Sequence, residues 1–305
     1  MMQRMREQGF SLVEVLFSLS IALILLAAGY HSYVTVQRQR LSAHQRGELR
    51  LTETAAMQAI GHWLRHASDF ALLRFAPPIH LPAAMANDSC HIPQLPLQFN
   101  SERMPVPIQA LNVSKDVTAM GCLGSVTHPL VGGSSILVIH AISGPSQHHL
   151  SQAISWSVKS GKAGDVHYWA YQPQWLFIVK DGQTTGLMHL YRDIQGIKGA
   201  KQGIFIRGVE KMLMKFAICS PNGLRWRTLQ AMRPDDWTQV QLVQLGLLVR
   251  ARNKAANYTN QRIYQLAGTK VGPFNDHYRR VAENRLIALS SETSLCVIDT
   301  KVVSS

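Results

Sequence analysis

The first 76 residues divide sharply by polarity. Residues 10–30 read FSLVEVLFSLSIALILLAAGY, 21 positions with one formal charge, Glu14. At ~1.5 Å per helical residue this stretch covers ~30 Å, the thickness of a hydrocarbon layer, and predicts one membrane-crossing helix. A cleaved secretory signal would have a shorter apolar run closed by a small-residue site. Ala27-Ala28-Gly29 imitates such a site, but a carboxylate near the start of the run does not suit that reading. No proline precedes Pro77, so the helix is expected to continue through the polar residues 37–50 to about Ser68. Ala56, Ile60, Trp63 and Ala67, with Leu49 one heptad earlier, place an apolar stripe on this second half. Residues 10–30 then form a transmembrane half and residues 31–70 an amphipathic half for a sheet to cover. Residues 10–68 would reach ~88 Å as one helix, with Gly29 and Gly47 as the expected points of bending or local melting.

The pattern then changes. Eight of the thirteen prolines lie between Pro77 and Pro129, so residues 71–133 read as a proline-rich, irregular connection from helix to sheet. From 134 to 305 the chain reads as β-rich. Apolar and aromatic runs at 135–142, 165–171, 174–180, 186–192, 203–207, 209–219, 240–252, 262–267 and 285–290 predict strands, with Asp181-Gly182 as a turn. Strands do not alternate regularly with helices, which disfavours a parallel nucleotide-binding sheet and leaves an antiparallel α+β head.

Charge adds a question. The 31 Lys and Arg exceed the 18 Asp and Glu by 13, and 17 basic against 6 acidic residues fall between 192 and 285. Arg225-Trp226-Arg227 and Tyr278-Arg279-Arg280 interleave cations with aromatics, so Arg225, Trp226, Arg227, Arg279 and Arg280 are candidate anion or DNA contacts. The competing reading is a generally basic surface. Cys90, Cys122, Cys219 and Cys296 contain no C-x-x-C, which excludes a zinc ribbon or thioredoxin-like centre. They are disulfide candidates for an oxidising compartment, with three connectivities open. His62 and His66 stand at i and i+4 but lack H-E-x-x-H and a third ligand, so no metal is expected. Neither G-x-S-x-G nor a P-loop occurs, and neither catalysis nor a cofactor is expected.

Glu14 gives the sharpest reading. An ionisable group inside a bilayer costs a few kcal/mol and persists where a function or partner requires it. It closes the string Gly9-Phe10-Ser11-Leu12-Val13-Glu14, behind a leader with Arg4 and Arg6. This string resembles the class III signal of type IV pilins and type II secretion pseudopilins, G-F-[ST]-L-x-E before an apolar helix. The resemblance implies that a prepilin peptidase removes residues 1–9 by cutting between Gly9 and Phe10. The Phe10 amine is then methylated, and Glu14 neutralises the ammonium of a neighbouring subunit during assembly.

A second set of residues lies downstream. Gly208-Val209-Glu210-Lys211-Met212, Trp237-Thr238-Gln239-Val240 leading to Arg250, and Tyr278-Arg279-Arg280-Val281 are similar to the C-terminal half of PilW-type minor pilins. Those proteins often end in L-R-N, whereas Leu289 is followed by Ser290-Ser291 and a tail with Cys296. The resemblance implies a pilin-like α+β fold, its long N-terminal helix packed on an antiparallel head. It also implies a non-catalytic part in type IV pilus assembly, in an initiation or tip complex. The implied partners are prepilin peptidase, other minor pilins, the major pilin, the inner-membrane assembly platform and membrane lipid, with DNA as a further candidate. The implied location is the bacterial inner membrane, single-pass, with the head in the periplasm and, after assembly, at the cell surface. Charge counting opposes this orientation, because Arg38, Arg40, Arg46 and Arg50 follow the span. The cysteines and the signal favour it. The alternatives are a J-type pseudopilin of type II secretion, disfavoured by the long head, and a DNA-uptake or adhesive tip module, which salt-dependent DNA retention would mark.

Overall fold

The computed structural model describes residues 11–67, 106–113, 128–146, 155–159, 166–193, 196–198, 205–221, 223–255 and 258–289. The chain forms two compact units, 1–48 and 49–305. Residues 12–48 of the first are helical. Helix α1 (Leu12–His66) starts at Ser11, whose Oγ accepts the Glu14 N–H at 3.3 Å while its carbonyl accepts Glu14 and Val15. This is N-cap geometry at S-x-x-E spacing. Along the apolar stretch, Ser18 and Ser20 donate their hydroxyls to carbonyls one turn back. Those polar groups are thereby satisfied within the helix, as a hydrocarbon environment demands. The helix is not melted at Gly29 or Gly47, where bending or local melting was expected. A Cβ at either would meet nothing within 4 Å, so no packing contact pries the helix open there.

The second unit holds residues 49–66 of α1 and two main antiparallel sheets. The first sheet has the order β1 (Ile108–Asn112), β2 (Ser135–Ser146), β4 (Val166–Asp181), β5 (Thr184–Asp193), β6 (Gly196–Lys198). In addition, β3 (Ser155–Lys159) pairs with β4 and β7 (Ile206–Arg207) with β5. The second sheet has the order β13 (Tyr278–Ala288), β10 (Val240–Lys254), β8 (Val209–Ser220), β9 (Gly223–Thr228). A separate hairpin joins β11 (Tyr264–Leu266) to β12 (Thr269–Val271).

One apolar cluster unites these elements. Leu49, Ala56, Met57, Ile60 and Leu64 of α1 share it with Leu137, Leu176 and Leu187 of the first sheet and Met212, Phe216, Leu245, Leu247 and Ile287 of the second. The buried stripe on α1 runs through Leu49, Glu53, Met57, Ile60 and Leu64. Trp63, expected on the stripe, is half-buried at its margin. A second cluster, with Ile136, Val138, Trp175, Phe177, Met188 and Leu190, lies on the other face of the first sheet. Strands β2, β4 and β5 are therefore buried on both faces, which is why they read as unbroken apolar runs.

Several expectations change in the structure. Ile108–Asn112, inside the expected irregular connection, forms β1 against residues 135–139. The two strands expected at 165–171 and 174–180 are one strand, β4. Its Pro173 stands where β2 alone flanks it, so the missing N–H costs no ladder bond on the other side. The last described strand begins at Tyr278 rather than Arg285.

Two glycines fix how the layers meet. Gly208, at φ +92°, is the corner where the chain leaves the first sheet for the second. Its N–H donates to the Thr185 carbonyl and its own carbonyl accepts the Arg250 N–H, each at 2.8 Å. Gly246 lies under the β11–β12 hairpin, where an added Cβ would fall 2.7 Å from the Ala267 nitrogen and 2.9 Å from the Leu266 Cα. Asn284 pins the same hairpin, accepting the Ala267 N–H at 2.7 Å and donating to the Gln265 carbonyl at 2.8 Å. Gly246→Ala must lift the hairpin and is expected to cost ~1–3 kcal/mol, read as a lower denaturation midpoint of the protein in detergent. Gly47→Ala, in open space on a helix, is expected to cost nothing.

Candidate functional site

The sequence-predicted site residues fall into three places. Gly9 and Phe10 lie outside the described residues. Glu14 occupies the first turn of α1 and is exposed. A carboxylate is favoured at a helix N-terminus by the dipole, and Ser11 caps the turn that holds it. What the geometry offers there is an acidic group on an apolar helix surface, accessible to a cation.

The downstream residues converge on the second sheet. Glu210 comes from the start of β8, Arg250 from β10 and Arg280 from β13, neighbouring strands that bring their side chains together on the face away from α1. Arg280 Nε meets Glu210 Oε2 at 2.5 Å and its Nη2 meets Oε1 at 3.0 Å. The same guanidinium grips Asp276 through two contacts of 2.6 Å. It also lies 3.8 Å over the Phe274 ring. Arg250 adds a second cation, 3.7 Å from Glu210 Oε1 and 4.4 Å over the Tyr278 ring. A further guanidinium nitrogen of Arg250 donates to the Gln183 carbonyl in the turn between β4 and β5. Two carboxylates thus balance two guanidinium groups. Burial works against the charge on Arg280, but its bonds to Asp276 and Glu210 prevail and raise its pKa above the usual arginine value. The Arg280 bond holds the Asp276 carboxyl below the usual carboxylate range. Its stabilisation is therefore complete above the ordinary value and fades as pH falls through the depressed one.

This corrects the reading of Arg280 as an anion contact. It is 7 % exposed and its guanidinium is taken up by two carboxylates of its own chain. The other candidates do not form one surface with each other. Arg225 pairs with Ile218, level with Val240, whereas Arg280 pairs with Arg250, ten residues along the same strand. Strands β9 and β13 are opposite edges of the sheet, so Arg225 and Arg279 stand at opposite corners, ~14 Å apart across the strands and ~30 Å along them. Arg225 is exposed. Trp226 lies under the Lys215 ammonium at 5.5 Å. Arg227 is 3.4 Å from Asp236, and Arg279 stacks at 4.9 Å over Tyr258. The neighbouring Trp237, read as part of a signature, is buried and meets Phe216 edge-on at 5.1 Å.

Of the cysteines, Cys219 at the end of β8 is disulfide-bonded. Cys90, Cys122 and Cys296 lie outside the described residues, so the pairing remains an expectation. His62 and His66 are exposed, and their rings meet edge-on in a T-shaped pair at 4.4 Å. Among the described residues no three His, Cys, Asp or Glu groups gather as a metal site would require.

Two residues were missed by sequence reasoning. His189 of β5 stacks on Trp63 of α1 at 4.3 Å, and burial pushes its pKa down to about 4. Its stabilisation is complete above the ordinary 6.5 and is lost as pH falls toward 4. Glu53 is fully enclosed in the helix stripe. Both carry a sequence signal, a polar residue inside an otherwise apolar periodic run.

Comparison with known proteins adds three findings. Residues 176–291 match the family model of Type IV Pilus-assembly protein W, and residues 4–30 match the prokaryotic N-terminal methylation motif. The first segment contains every member of the Arg280 network. A type IV-like pilin from Thermus thermophilus is similar at 11 % identity over 51 % of this chain and 77 % of that one, with a TM-score of 0.25. No curated protein matches the chain.

The network predicts its own behaviour under substitution. Arg280→Ala leaves Glu210 and Asp276 facing each other and is expected to cost ~3–5 kcal/mol, whereas Arg225→Ala is expected to stay within ~0.5 kcal/mol. Denaturant unfolding of the two variants in detergent checks both.

Proposed function

We propose that this PilW-type prepilin is a minor pilin that takes part in type IV pilus assembly, in few copies and at the initiating or tip end, without catalysing a reaction. One observation carries the reading. A prepilin signal with all six residues in place opens a helix whose first part is apolar and whose second part is embedded in the head that carries the PilW match. The type IV pilus, rather than a secretion pseudopilus, is favoured because the matched family is a pilus-assembly family.

The steps follow from the chemistry of the N-terminus. Prepilin peptidase cuts between Gly9 and Phe10 on the cytoplasmic face, where a residue without a side chain lets the backbone enter a narrow cleft. The new Phe10 amine is positive and is methylated. An incoming subunit presents Glu14 to the Phe10 ammonium of a neighbour, so two groups costly to hold in hydrocarbon become one pair. The head, in the periplasm, then extends beyond the helical lattice. A large head repeated at every lattice position would collide with identical neighbours, and a terminal position relieves that constraint. The partners in this reading are the peptidase, the assembly platform, the major pilin and other minor pilins.

A chromosomal deletion complemented by variants tests it. Gly9→Arg is expected to leave an uncut, membrane-retained precursor on an immunoblot. Glu14→Ala is expected to be cut yet absent from sheared pili, in which the wild-type protein is far scarcer than major pilin by quantitative mass spectrometry. Normal processing of Gly9→Arg, or parity with major pilin, contradicts the proposal.

A further inference from the structure

Glu53 is a carboxylate inside an apolar stripe. It is 1 % exposed, with Leu49 and Met57 buried one turn to either side. Its Oε2 accepts from Arg50 at 2.9 Å, and the Arg50 side chain is largely in solvent. Its Oε1 has no N–H or hydroxyl donor. Across the boundary between α1 and the second sheet stands another carboxyl, Glu283 of β13, in register with the core residue Leu247 and on the same face as Val281 and Ile287, close enough to Glu53 for a side-chain hydrogen bond. Glu283 is held in turn by Arg285 at 2.8 Å. The core positions of β8 and β10, among them Val209, Met212, Leu247 and Val249, are apolar. Arg50 and Glu283 are the charged groups that act on this carboxyl, and Arg285 bears on it through Glu283.

Two ionised carboxylates only accept, so a hydrogen bond between them needs a proton on one. That proton also gives a hydrogen-bonding role to the enclosed side of the Glu53 carboxyl, whose Oε1 no N–H or hydroxyl reaches. We infer that Glu53 and Glu283 share one proton, which clasps the second half of α1 to an edge strand of the head and makes the hold on that helix depend on pH. The inference does not rest on the pilus reading.

The direction follows from the environment. Burial first, and then the Glu283 bond, raise the Glu53 pKa above its ordinary 4.5; Arg50 opposes this without cancelling it. A raised folded-state value means that the clasp is fully formed below the ordinary value and weakens as pH rises through the raised one. Asp276 and His189 act in the opposite direction, so the informative quantity is the difference between variant and wild type at each pH.

Denaturant unfolding of the full-length protein in detergent, from pH 4 to pH 8, provides the test. In Glu53→Gln the amide donates to Glu283 at every pH. The variant is expected to match wild type at pH 4 and to exceed its folding equilibrium constant at pH 8, by about tenfold for each unit of pKa elevation removed. Glu283→Gln is expected to show the same trend, and the double variant to gain little over either single one, as interacting neighbours do. An offset equal at all pH values, a loss that grows with pH, or failure of both single variants to fold at neutral pH would each overturn the inference, because Glu53 would then be an ionised partner of Arg50 alone.

Discussion

Everything in the head depends on the burial of residues 49–64 of α1. Leu49, Met57, Ile60 and Leu64 sit in one cluster with the inner faces of both sheets, and each such side chain contributes ~1.5–3 kcal/mol when fully removed from water. Neither sheet forms this core alone, since the helix and one face of each sheet contribute to it and β8 of the second sheet also meets β2, β4 and β5 of the first. The helix cannot leave without opening the whole unit. A chain that is to be held by its apolar N-terminal stretch while presenting a folded head needs this property, because load on the helix is then borne by the head's main core.

Around that core, the residues that resemble the PilW pattern serve to keep the second sheet and its coverings in register. Gly208 turns the chain from one sheet to the other, with its peptide bonded to both. Glu210, Arg250, Asp276 and Arg280 tie three neighbouring strands and the loop before β13 on the outer face. A buried network of this kind adds little net stability compared with apolar packing, but the loss of one member is costly because its partners stay enclosed. Asn260, itself fully buried, supports the same loop by donating to the Tyr264 hydroxyl and the Tyr278 carbonyl at 3.1 Å each. The cations that looked like a ligand surface are in part this internal framework.

Local patterns were legible in the sequence and long-range pairings were not. The apolar span, the proline-free helix and the strands β2, β5, β8 and β10 declare themselves by composition and periodicity within ten to twenty residues. Strand β9 does not, because Leu-Arg-Trp-Arg on a short sheet edge has no buried face to impose alternation. The start of β13 was missed because Tyr278-Arg279-Arg280 looks like solvated surface. Arg280 is buried by Glu210, 70 residues away, and no local window contains that pairing. Local melting, expected at Gly47, is absent because helix propensity acts locally and an added Cβ there would meet nothing within 4 Å. Glu14 was legible as a special residue because its cost is set by the apolar run around it.

Residues 49–64 of α1 are part of the head's core rather than a helix lying against it. Native-state hydrogen exchange of the full-length protein in detergent, read by mass spectrometry, measures this. The amides of residues 53–64 are expected to exchange only with global opening, at the same free energy and with the same denaturant dependence as those of β8 and β10. Exchange of that helical segment at a markedly lower free energy, while β8 and β10 remain protected, would show a helix that detaches by itself and would contradict the account.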